Sequence, residues 1–332
     1  MNGQPVGILA TGSYVPKEEV GNEEVAQRVG ATAEWIERKT HIRGRHWAAP
    51  DEAASDLGAR AAEDALARAG LDARHVDFII VSTGTGDSPQ PPTACLVQNA
   101  LGASEAACFD ISVACSGFVY GLELARALLQ RRPQALALVI STEVYSRFAN
   151  FADRRTAVLL GDGAAAAVVG AVPEGYGIVA SDLSSRGDAH ELLRIEAGGS
   201  RLPASHATVD AGAHYVSMDG RGVRDFVLEN VPPVLTRLVG AAGLDGERID
   251  HFVPHQPNGV LVDQLADATG LRIARTHRTV EKYANVGSAS VPLTLDDANR
   301  AGLIGQGDLV LLAGFGGGMA VGACVMRWAV AA

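Results

Sequence analysis

Two segments of this 332-residue chain repeat one another at a constant offset of 173 residues. The first, AGLDARHVDFIIV, spans residues 69–81, and the second, AGLDGERIDHFVP, spans residues 242–254. Each follows a stretch with helical periodicity and leads into an apolar, strand-like run. Two further pairs agree in type and order: VACSGF with NVGSASVP, and LLGDGAAAAVVG with AGFGGGMAVGACVMRW. Three matches in one order indicate two copies of an α/β unit, residues 1–170 and 171–332.

The order of elements within each copy predicts the fold class. Helical patterns alternate with continuous apolar strands, which is typical of parallel or mixed sheets covered by helices on both faces. The chain is long enough for a large core, and its 47% hydrophobic and 20% charged residues are those of a globular protein. The polar, glycine-rich segment 182–224 fits neither copy. We expect it to form an excursion with short strands, and loops of this length are often functional.

Charge and targeting signals exclude some functions and locations. A net charge of −10 disfavours binding to nucleic acid or to anionic membranes. The N-terminal residues MNGQPVGILATGSYVP lack the basic region of a secretory signal, and no apolar stretch approaches the length of a membrane span. We therefore expect a cytoplasmic protein. The cysteines lack CxxC and zinc-site spacing, which predicts reduced thiols and no metal site; they are Cys95, Cys108, Cys115 and Cys324.

Cys115 is the first candidate for chemistry. It follows the apolar run CFDISVA and precedes a helical pattern in which Phe118, Leu122, Ala125 and Leu129 recur, so a strand-to-helix turn is predicted. A helix N-terminus offers free N–H groups and a positive potential, which would lower the pKa of the thiol and favour the thiolate. The alternative is a small, buried and inert thiol, which is common for cysteine.

Candidate partners for Cys115 lie in the second copy. His255, in FVPHQPN, ends a buried strand, where α/β sheets bind ligands, although a single histidine can equally be structural. Asn285, in KYANVGSASVP, lies in the turn that corresponds to the Cys115 turn, although asparagine also simply forms turns. The glycines of GFGGGM, residues 314–319, would allow backbone N–H groups to approach the candidate site closely. The duplication places the two turns at one pseudo-twofold axis and so predicts a shared site.

Six motifs resemble the β-ketoacyl-acyl-carrier-protein synthase III family of the thiolase superfamily. They are EWIERKTHIRGRHWAAPDE, DISVACSGF, LLGDGAAAAVV, VPHQPN, YANVGSASVP and AGFGGGMAVGA, and they follow the family order over nearly the whole chain. The resemblance implies the thiolase-like αβαβα five-layer duplicated fold and a homodimer. It implies no cofactor, and the sequence completes neither a GxGxxG nor a GxxxxGK motif.

The resemblance also implies an acyltransferase of the ketosynthase type, which forms carbon–carbon bonds by Claisen condensation. Cys115 would take an acyl group from a thioester of coenzyme A or of a carrier protein. His255 and Asn285 would donate hydrogen bonds to the thioester oxygen of a malonyl or β-ketoacyl group on an acyl carrier protein while an enolate forms. The backbone N–H groups of Cys115 and Gly317 would form the oxyanion hole. No metal or redox cofactor is needed.

Binding of the thioester follows from the same resemblance. Trp35 matches a tryptophan that stacks on the adenine of coenzyme A, and Arg154 matches a basic position near its diphosphate. Lys39 stands where arginine is usual and keeps the charge but not the bidentate geometry. His41 stands where glycine is usual. The other residues predicted to bind the thioester or the carrier are Gly220, Arg221 and Asn258.

Departures from the family pattern bear on the substrate. Pro91 stands where a phenylalanine from the partner subunit limits the acyl pocket of acetyl-specific relatives, which predicts a longer or bulkier acyl chain. Loop 86–92 is expected to cross the dimer interface. The helix after PHQPN lacks the lysines that would dock an acidic carrier protein, and Arg221 and Arg224 could replace them.

Together these departures favour a specialised ketosynthase of polyketide-type metabolism over acetyl-CoA-dependent initiation of fatty acid synthesis. Two other interpretations stay open at this point. One is an acyltransferase on the same fold that forms an ester or an amide. The other is a non-catalytic subunit of a larger synthase, which the presence of Cys115 disfavours.

Overall fold

The computed structural model describes residues 4–246 and 248–330. The strands, in chain order, are β1 (Val6–Tyr14), β2 (Glu18–Gly21), β3 (Gly44–Trp47), β4 (Phe78–Ser82), β5 (Ala107–Ile111), β6 (Ala137–Val144), β7 (Asp162–Ala171), β8 (Gly177–Ser185), β9 (Leu193–Ile195), β10 (Val216–Met218), β11 (Ile249–Pro254), β12 (Ile273–Thr276), β13 (Leu309–Gly316) and β14 (Ala320–Arg327). The α-helices are α1 (Asn22–Val29), α2 (Ala33–Thr40), α3 (Ala54–Ala69), α4 (Thr93–Leu101), α5 (Gly117–Leu129), α6 (Arg154–Ala157), α7 (His206–Asp210), α8 (Gly220–Ala241), α9 (Gly259–Ala268), α10 (Val280–Tyr283) and α11 (Ser290–Arg300).

Two five-stranded sheets share one strand order. The first runs β1-β7-β6-β4-β5 and the second runs β8-β14-β13-β11-β12. In each sheet the last three strands are parallel, and the other two strands pair antiparallel. The predicted duplication is therefore visible in the topology. We propose that the halves are residues 1–170 and 171–332; this boundary lies one residue before the end of β7 at Ala171, and β8 begins the second sheet at Gly177.

The elements stack in five layers, αβαβα, as the family resemblance implies. Helices α5 and α11 lie between the sheets in a core that includes Phe118 and Val291. Helices α3 and α4 cover the outer face of the first sheet, and α8 and α9 cover that of the second. Every residue of β6 and of β13 is buried, which explains why β13 is continuously apolar and why β6 begins with the apolar run Ala137–Ile140.

Capping residues set the bounds of several helices. Helices α1, α3 and α4 each end at a glycine with left-handed φ of 64° to 68°, a conformation that glycine adopts at little cost. The side chain of Asp219 accepts from the N–H groups of Arg221 and Gly222 and so begins α8. Asn258 caps α9 in the same way through the N–H of Leu261.

Segment 182–224 contains the short strands that the sequence predicts. Strands β9 and β10 form a separate antiparallel pair, with Leu193 opposite Met218 and Ile195 opposite Val216. These four side chains line the cavity described below. Among the described helices, none combines the length and the apolar character that crossing a membrane requires.

Candidate active site

Cys115 lies in a one-turn 3-10 helix between β5 and α5, so the predicted strand-to-helix turn is present. The residue before it, Ala114, has φ 44°, a left-handed conformation that strains a residue with a Cβ atom. Cys115 is buried, with 6% of its surface exposed. Backbone strain next to a buried thiol is typical of functional sites, where the position of the side chain matters more than local stability.

Strand β13 approaches this turn as closely as glycine allows. A Cβ atom on Gly316 would lie 2.8 Å from the Cβ and 2.9 Å from the Sγ of Cys115. A Cβ atom on Gly314 would lie 2.7 Å from the Cα of Ser116. Carbon atoms do not approach so closely, and the glycines of the GFGGGM motif therefore permit the close backbone approach that the sequence suggests.

A cavity of about 490 Å³ opens beside Cys115. Asn285 and Gly317 line it together with Cys115, so three of the predicted site residues share one chamber. Much of the remaining wall is apolar and includes Leu159, Leu160 and the side chains of β9 and β10. An apolar chamber with a few convergent polar groups is typical of a binding site for a small organic group.

Asn285 is held in a fixed orientation at this cavity. Its backbone N–H donates to the carbonyl of Leu159 at 2.8 Å, and its side-chain Oδ1 accepts from the N–H of Gly287 at 2.9 Å. With Oδ1 engaged in this way, the Nδ2 amide remains to donate into the cavity. The preceding residue, Ala284, has φ 59° and ψ −155°, a region that normally requires glycine.

His255 lies just beyond the end of β11, behind the cavity wall rather than among the lining residues. Its N–H donates to the carbonyl of Ala313 at 2.7 Å, and its ring meets that of Phe315 edge-on at 5.3 Å. Within the described residues its Nδ1 is buried without a hydrogen-bond partner. Burial lowers the pKa of His255 to about 3, so the ring is neutral. A neutral imidazole can accept a proton from a thiol or donate a hydrogen bond.

The thiol of Cys115 differs from the sequence-based expectation. Burial, and secondarily the charge of Glu143, raise the pKa of Cys115 to about 12. The expected lowering of the pKa by the helix N-terminus is therefore wrong, because loss of hydration opposes the thiolate more strongly than the helix start favours it. Cys115 rests as a thiol and must give up its proton when it attacks.

Sequence reasoning missed Glu143, a fully buried carboxylate on β6. It accepts hydrogen bonds from the hydroxyls of Thr85 and Ser288, both at 2.7 Å, and from the N–H of Gly84 at 3.1 Å. Burial raises the pKa of Glu143 to about 7 despite these donors. An acid within the apolar run ALALVISTEV is a sequence signal that could have pointed to it.

A groove of about 320 Å³ reaches the cavity from the surface. Four of the predicted thioester- or carrier-binding residues line it: Trp35, Lys39, Gly220 and Asn258. It shares Leu159, Met218 and Asn285 with the cavity, so the two spaces meet at the Asn285 amide. The side chain of Asn258 is engaged in capping α9, so its contribution to the groove includes holding that helix start in place.

Cationic side chains surround the groove. The guanidinium carbon of Arg154 lies 5.4 Å from the ring centroid of Trp35, a cation–π contact. Arg155 and Arg224 line the groove beside Lys39, whereas the predicted Arg221 does not line it. Sequence analysis anticipated Arg224 but missed Arg155.

Pro91 is exposed and does not line the cavity of a single chain. The proposed contribution of loop 86–92 to a partner subunit's acyl pocket therefore stays a prediction.

Comparison with known proteins identifies the family. Residues 109–187 match the family description 3-oxoacyl-[acyl-carrier-protein] synthase III, and residues 239–328 match its C-terminal part. The first match contains Cys115, and the second contains His255, Asn285 and Gly317.

Similar proteins cover almost the full chain. An acetoacetyl CoA synthase, NphT7, from Streptomyces sp. (strain CL190) is 47% identical over 97% of this chain and 98% of its own. A β-ketoacyl-[acyl-carrier-protein] synthase III from Symbiobacterium thermophilum is 43% identical over 98% of both chains. The crystal structure of the priming β-ketosynthase of the R1128 polyketide pathway matches with a TM-score of 0.90 and 33% identity, over 98% of this chain and 97% of that one. The predicted thiolase-like fold is thus confirmed, and the chain belongs to the 3-oxoacyl-[acyl-carrier-protein] synthase III family.

Proposed function

We propose that Cys115, His255 and Asn285 carry out the condensing reaction of this family. The chain is a ketosynthase, and it catalyses Claisen condensation in fatty acid or polyketide biosynthesis. The observation that supports the residue assignment is that Cys115 and Asn285 face one cavity, while His255 packs against the strand whose glycines contact Cys115.

The first step loads the acyl group. The sulfur of Cys115 attacks the thioester carbonyl, and its proton passes to the neutral ring of His255. The N–H groups of Cys115 and Gly317 hold the oxygen as it becomes negative. The tetrahedral intermediate then expels the carrier thiolate, which takes the proton and leaves as a thiol. The product is an acyl thioester on Cys115.

The second step forms the carbon–carbon bond. A malonyl thioester places its carbonyl oxygen against Asn285 Nδ2 and the ring of His255. Loss of carbon dioxide leaves an enolate, whose oxygen these two neutral donors stabilise. The enolate carbon attacks the acyl carbonyl on Cys115, the carbon–sulfur bond breaks, and the released Cys115 thiolate takes up a proton from solvent. The β-ketoacyl product departs on its carrier, with no metal or redox cofactor required.

The groove suits the phosphopantetheine arm on which both thioesters would be delivered. Lys39, Arg155 and Arg224 line it, and Trp35 offers an aromatic face at its wall. Such a surface complements the phosphate of the phosphopantetheine arm, which coenzyme A and carrier proteins share. The names of the relatives include a CoA synthase and acyl-carrier-protein synthases, so the experiment below tests both carriers. We further propose a cytoplasmic homodimer.

Pro91 supports a donor larger than acetyl. A proline in place of a bulky pocket wall leaves room for additional methylenes, each worth about 0.8 kcal/mol when buried, or roughly a fourfold gain. A donor about four carbons longer than acetyl would thus gain on the order of 10² in kcat/KM. This is the specialised, polyketide-type role.

The test is intact-mass spectrometry followed by product analysis. Acetyl and C6 to C12 thioesters, each on coenzyme A and on a carrier protein, are offered first, and malonyl thioesters are then added. We expect preferential loading of the longer chains and release of β-ketoacyl products. Preference for acetyl-coenzyme A would identify a starter enzyme of fatty acid synthesis instead. Transfer of the acyl group to an alcohol or amine, with no β-ketoacyl product, would identify an ester- or amide-forming acyltransferase.

A further inference from the structure

Glu143 joins the two halves of the chain directly behind the cavity. In the first half it accepts from the N–H of Gly84 and the hydroxyl of Thr85, in the loop after β4. In the second half it accepts from the hydroxyl of Ser288 at 2.7 Å. Because all of these groups donate, a single carboxylate fixes a loop of one half and a turn of the other.

The groups that Glu143 holds are parts of the cavity wall. Gly84 and Gly287 line the cavity together with Cys115 and Asn285. A Cβ atom on Gly287 would lie 3.1 Å from the Cγ of Glu143, so the turn packs tightly on this side chain. Gly287 in turn donates to Asn285 Oδ1 and orients the amide. A chain of contacts therefore runs from Glu143 to the Asn285 amide.

We propose that Glu143 is a positioning residue of the condensing site: it holds the Gly84–Thr85 loop and the Gly287–Ser288 turn against each other and so fixes the Asn285 amide relative to Cys115. The inference rests on the proposed function, since positioning of Asn285 matters for condensation and not for loading. Misplacement of a catalytic group by about 1 Å can cost roughly 10² in rate.

The charge of Glu143 should affect the pH dependence of Cys115 reactivity, which can be measured separately from condensation. The ionised carboxylate raises the pKa of the Cys115 thiol, and its own pKa is about 7. Among the described residues, the other titratable groups of this region are Tyr145, whose pKa burial holds well above its usual value, and the neutral His255. Neither changes charge near pH 7, so a break in Cys115 reactivity at that pH reports on Glu143.

The experiment compares wild type with Glu143→Gln, which keeps the size of the side chain and removes the charge. Iodoacetamide alkylation of Cys115 is measured between pH 6 and 9, and acyl loading and condensation are measured in parallel. For wild type we expect the logarithm of the alkylation rate to rise less steeply as the pH passes through about 7 than it does at lower or higher pH. For Glu143→Gln we expect an unbroken rise, retained loading and condensation reduced about 10²-fold.

Asp296→Asn is the matched control, because Asp296 is also fully buried and accepts from two hydroxyls, those of Thr11 at 2.7 Å and Ser13 at 2.6 Å. Asp296 does not line the cavity. For Asp296→Asn we therefore expect the same change of slope near pH 7 in the alkylation profile as for wild type, and the same ratio of condensation to loading. A folded Glu143→Gln variant that condenses at the wild-type rate would overturn the proposal. Equal losses in Glu143→Gln and Asp296→Asn would also overturn it.

Ser288→Ala provides a second test that leaves the carboxylate in place, should Glu143→Gln fail to fold. It removes the hydroxyl that donates to Glu143 and leaves only the longer bond from the backbone N–H of residue 288, at 3.4 Å. We expect condensation to fall about tenfold while loading persists. Full condensation by Ser288→Ala would contradict the proposal. If wild type itself condenses no thioester, the proposed function fails, whereas the alkylation profiles still decide whether Glu143 controls Cys115.

Discussion

Ser288 occupies in the second half the position that Cys115 occupies in the first. The two residues are 173 residues apart, the same offset that relates the repeated AGLD segments. Each lies in a one-turn 3-10 helix at the start of a central helix. Each also follows a residue with left-handed φ, 44° at Ala114 and 52° at Gly287. The proposed nucleophile and a hydroxyl that supports the site are therefore equivalent positions of one duplicated turn.

The same offset relates Ser82, at the end of β4, to His255, just after β11. The carbonyl of Ser82 accepts from the hydroxyl of Ser288 at 3.2 Å, so the strand end of one half contacts the helix start of the other. The pseudo-twofold relation therefore predicts that His255 and Cys115, the equivalent pair, also lie close to one another. Cys115 and His255 carry the proposed chemistry, whereas the equivalent residues Ser288 and Ser82 support the structure.

Covalent loading at Cys115 is the first prediction. Incubation with an acyl thioester should add the acyl mass to wild type and not to Cys115→Ala, because Cys115 is the one thiol among the described residues that lines the cavity. Peptide mapping should place the acyl group on Cys115. Acylation of Cys324, or of the neighbouring thiols Cys95 and Cys108, would show that the nucleophile has been assigned wrongly.

The second prediction separates the two steps of the reaction. His255→Ala and Asn285→Ala should still load acyl groups but lose condensation by about 10² to 10³, the cost of removing one oxyanion donor. Loss of the proton acceptor should also slow loading by His255→Ala, whereas Asn285→Ala should load at the wild-type rate. Mass spectrometry and product release measure the two steps separately. Undiminished condensation by Asn285→Ala would remove the proposed role of its amide.

The third prediction concerns the close approach of β13. In Gly316→Ala the new methyl carbon would lie 2.9 Å from the sulfur of Cys115, and both would have to shift. We expect loading to fall at least tenfold while the protein stays folded, because displacing the sulfur by a fraction of an ångström disturbs its alignment with the thioester.

Gly187→Ala is the control for this substitution, since a Cβ atom there meets no neighbour among the described residues within 4 Å. Circular dichroism and thermal unfolding should report a wild-type fold for both variants. Normal loading by Gly316→Ala would contradict this prediction and would mean that the Cys115 turn can shift without loss of activity.

The fourth prediction is a pH dependence of stability. Burial, and secondarily the neighbouring His251 and Arg275, lower the pKa of His277 from 6.5 to about 4. The unfolded chain therefore binds a proton that the folded chain refuses, so the stability from this group is complete above pH 6.5 and is lost as pH falls toward 4. The slope is up to about 1.4 kcal/mol per pH unit.

His277→Asn should remove that slope. Urea unfolding at intervals between pH 7 and pH 5 should show a free energy of unfolding that falls less steeply for the variant than for wild type. The difference cancels opposing contributions, such as that of Glu143, whose raised pKa favours the folded state as pH falls from 7 toward 4.5. Parallel slopes for the two proteins would contradict the assignment to His277.

The fold was largely predictable because its signals are local. The repeated segments, the apolar strands and the strand-to-helix turn at Cys115 all lie within short windows of sequence, and the structure places them as expected. The duplication also explains why Cys115 and Asn285 could be assigned to one cavity, because the equivalent turns of the two halves meet at the pseudo-twofold axis.

The electrostatics of the site could not be predicted in this way. Glu143 is 59 residues from Gly84 and 145 residues from Ser288, so no window of sequence contains the network. The pKa of Cys115 depends on burial and on this distant carboxylate, and both are properties of the assembled halves. Arg155 was missed because the sequence does not show which of two adjacent arginines in α6 points toward the groove.

The junction of groove and cavity at Asn285 has a kinetic consequence. The cavity and the groove share Asn285. Under the proposed function both thioesters reach Cys115 through this junction, so the first carrier must leave before the second can enter. Steady-state rates should therefore follow a double-displacement pattern, with parallel lines in reciprocal plots at different concentrations of the two substrates. Excess malonyl carrier should compete with the acyl donor for the empty groove. The supply ratio of the two carriers, and not only their amounts, would then govern flux through the enzyme.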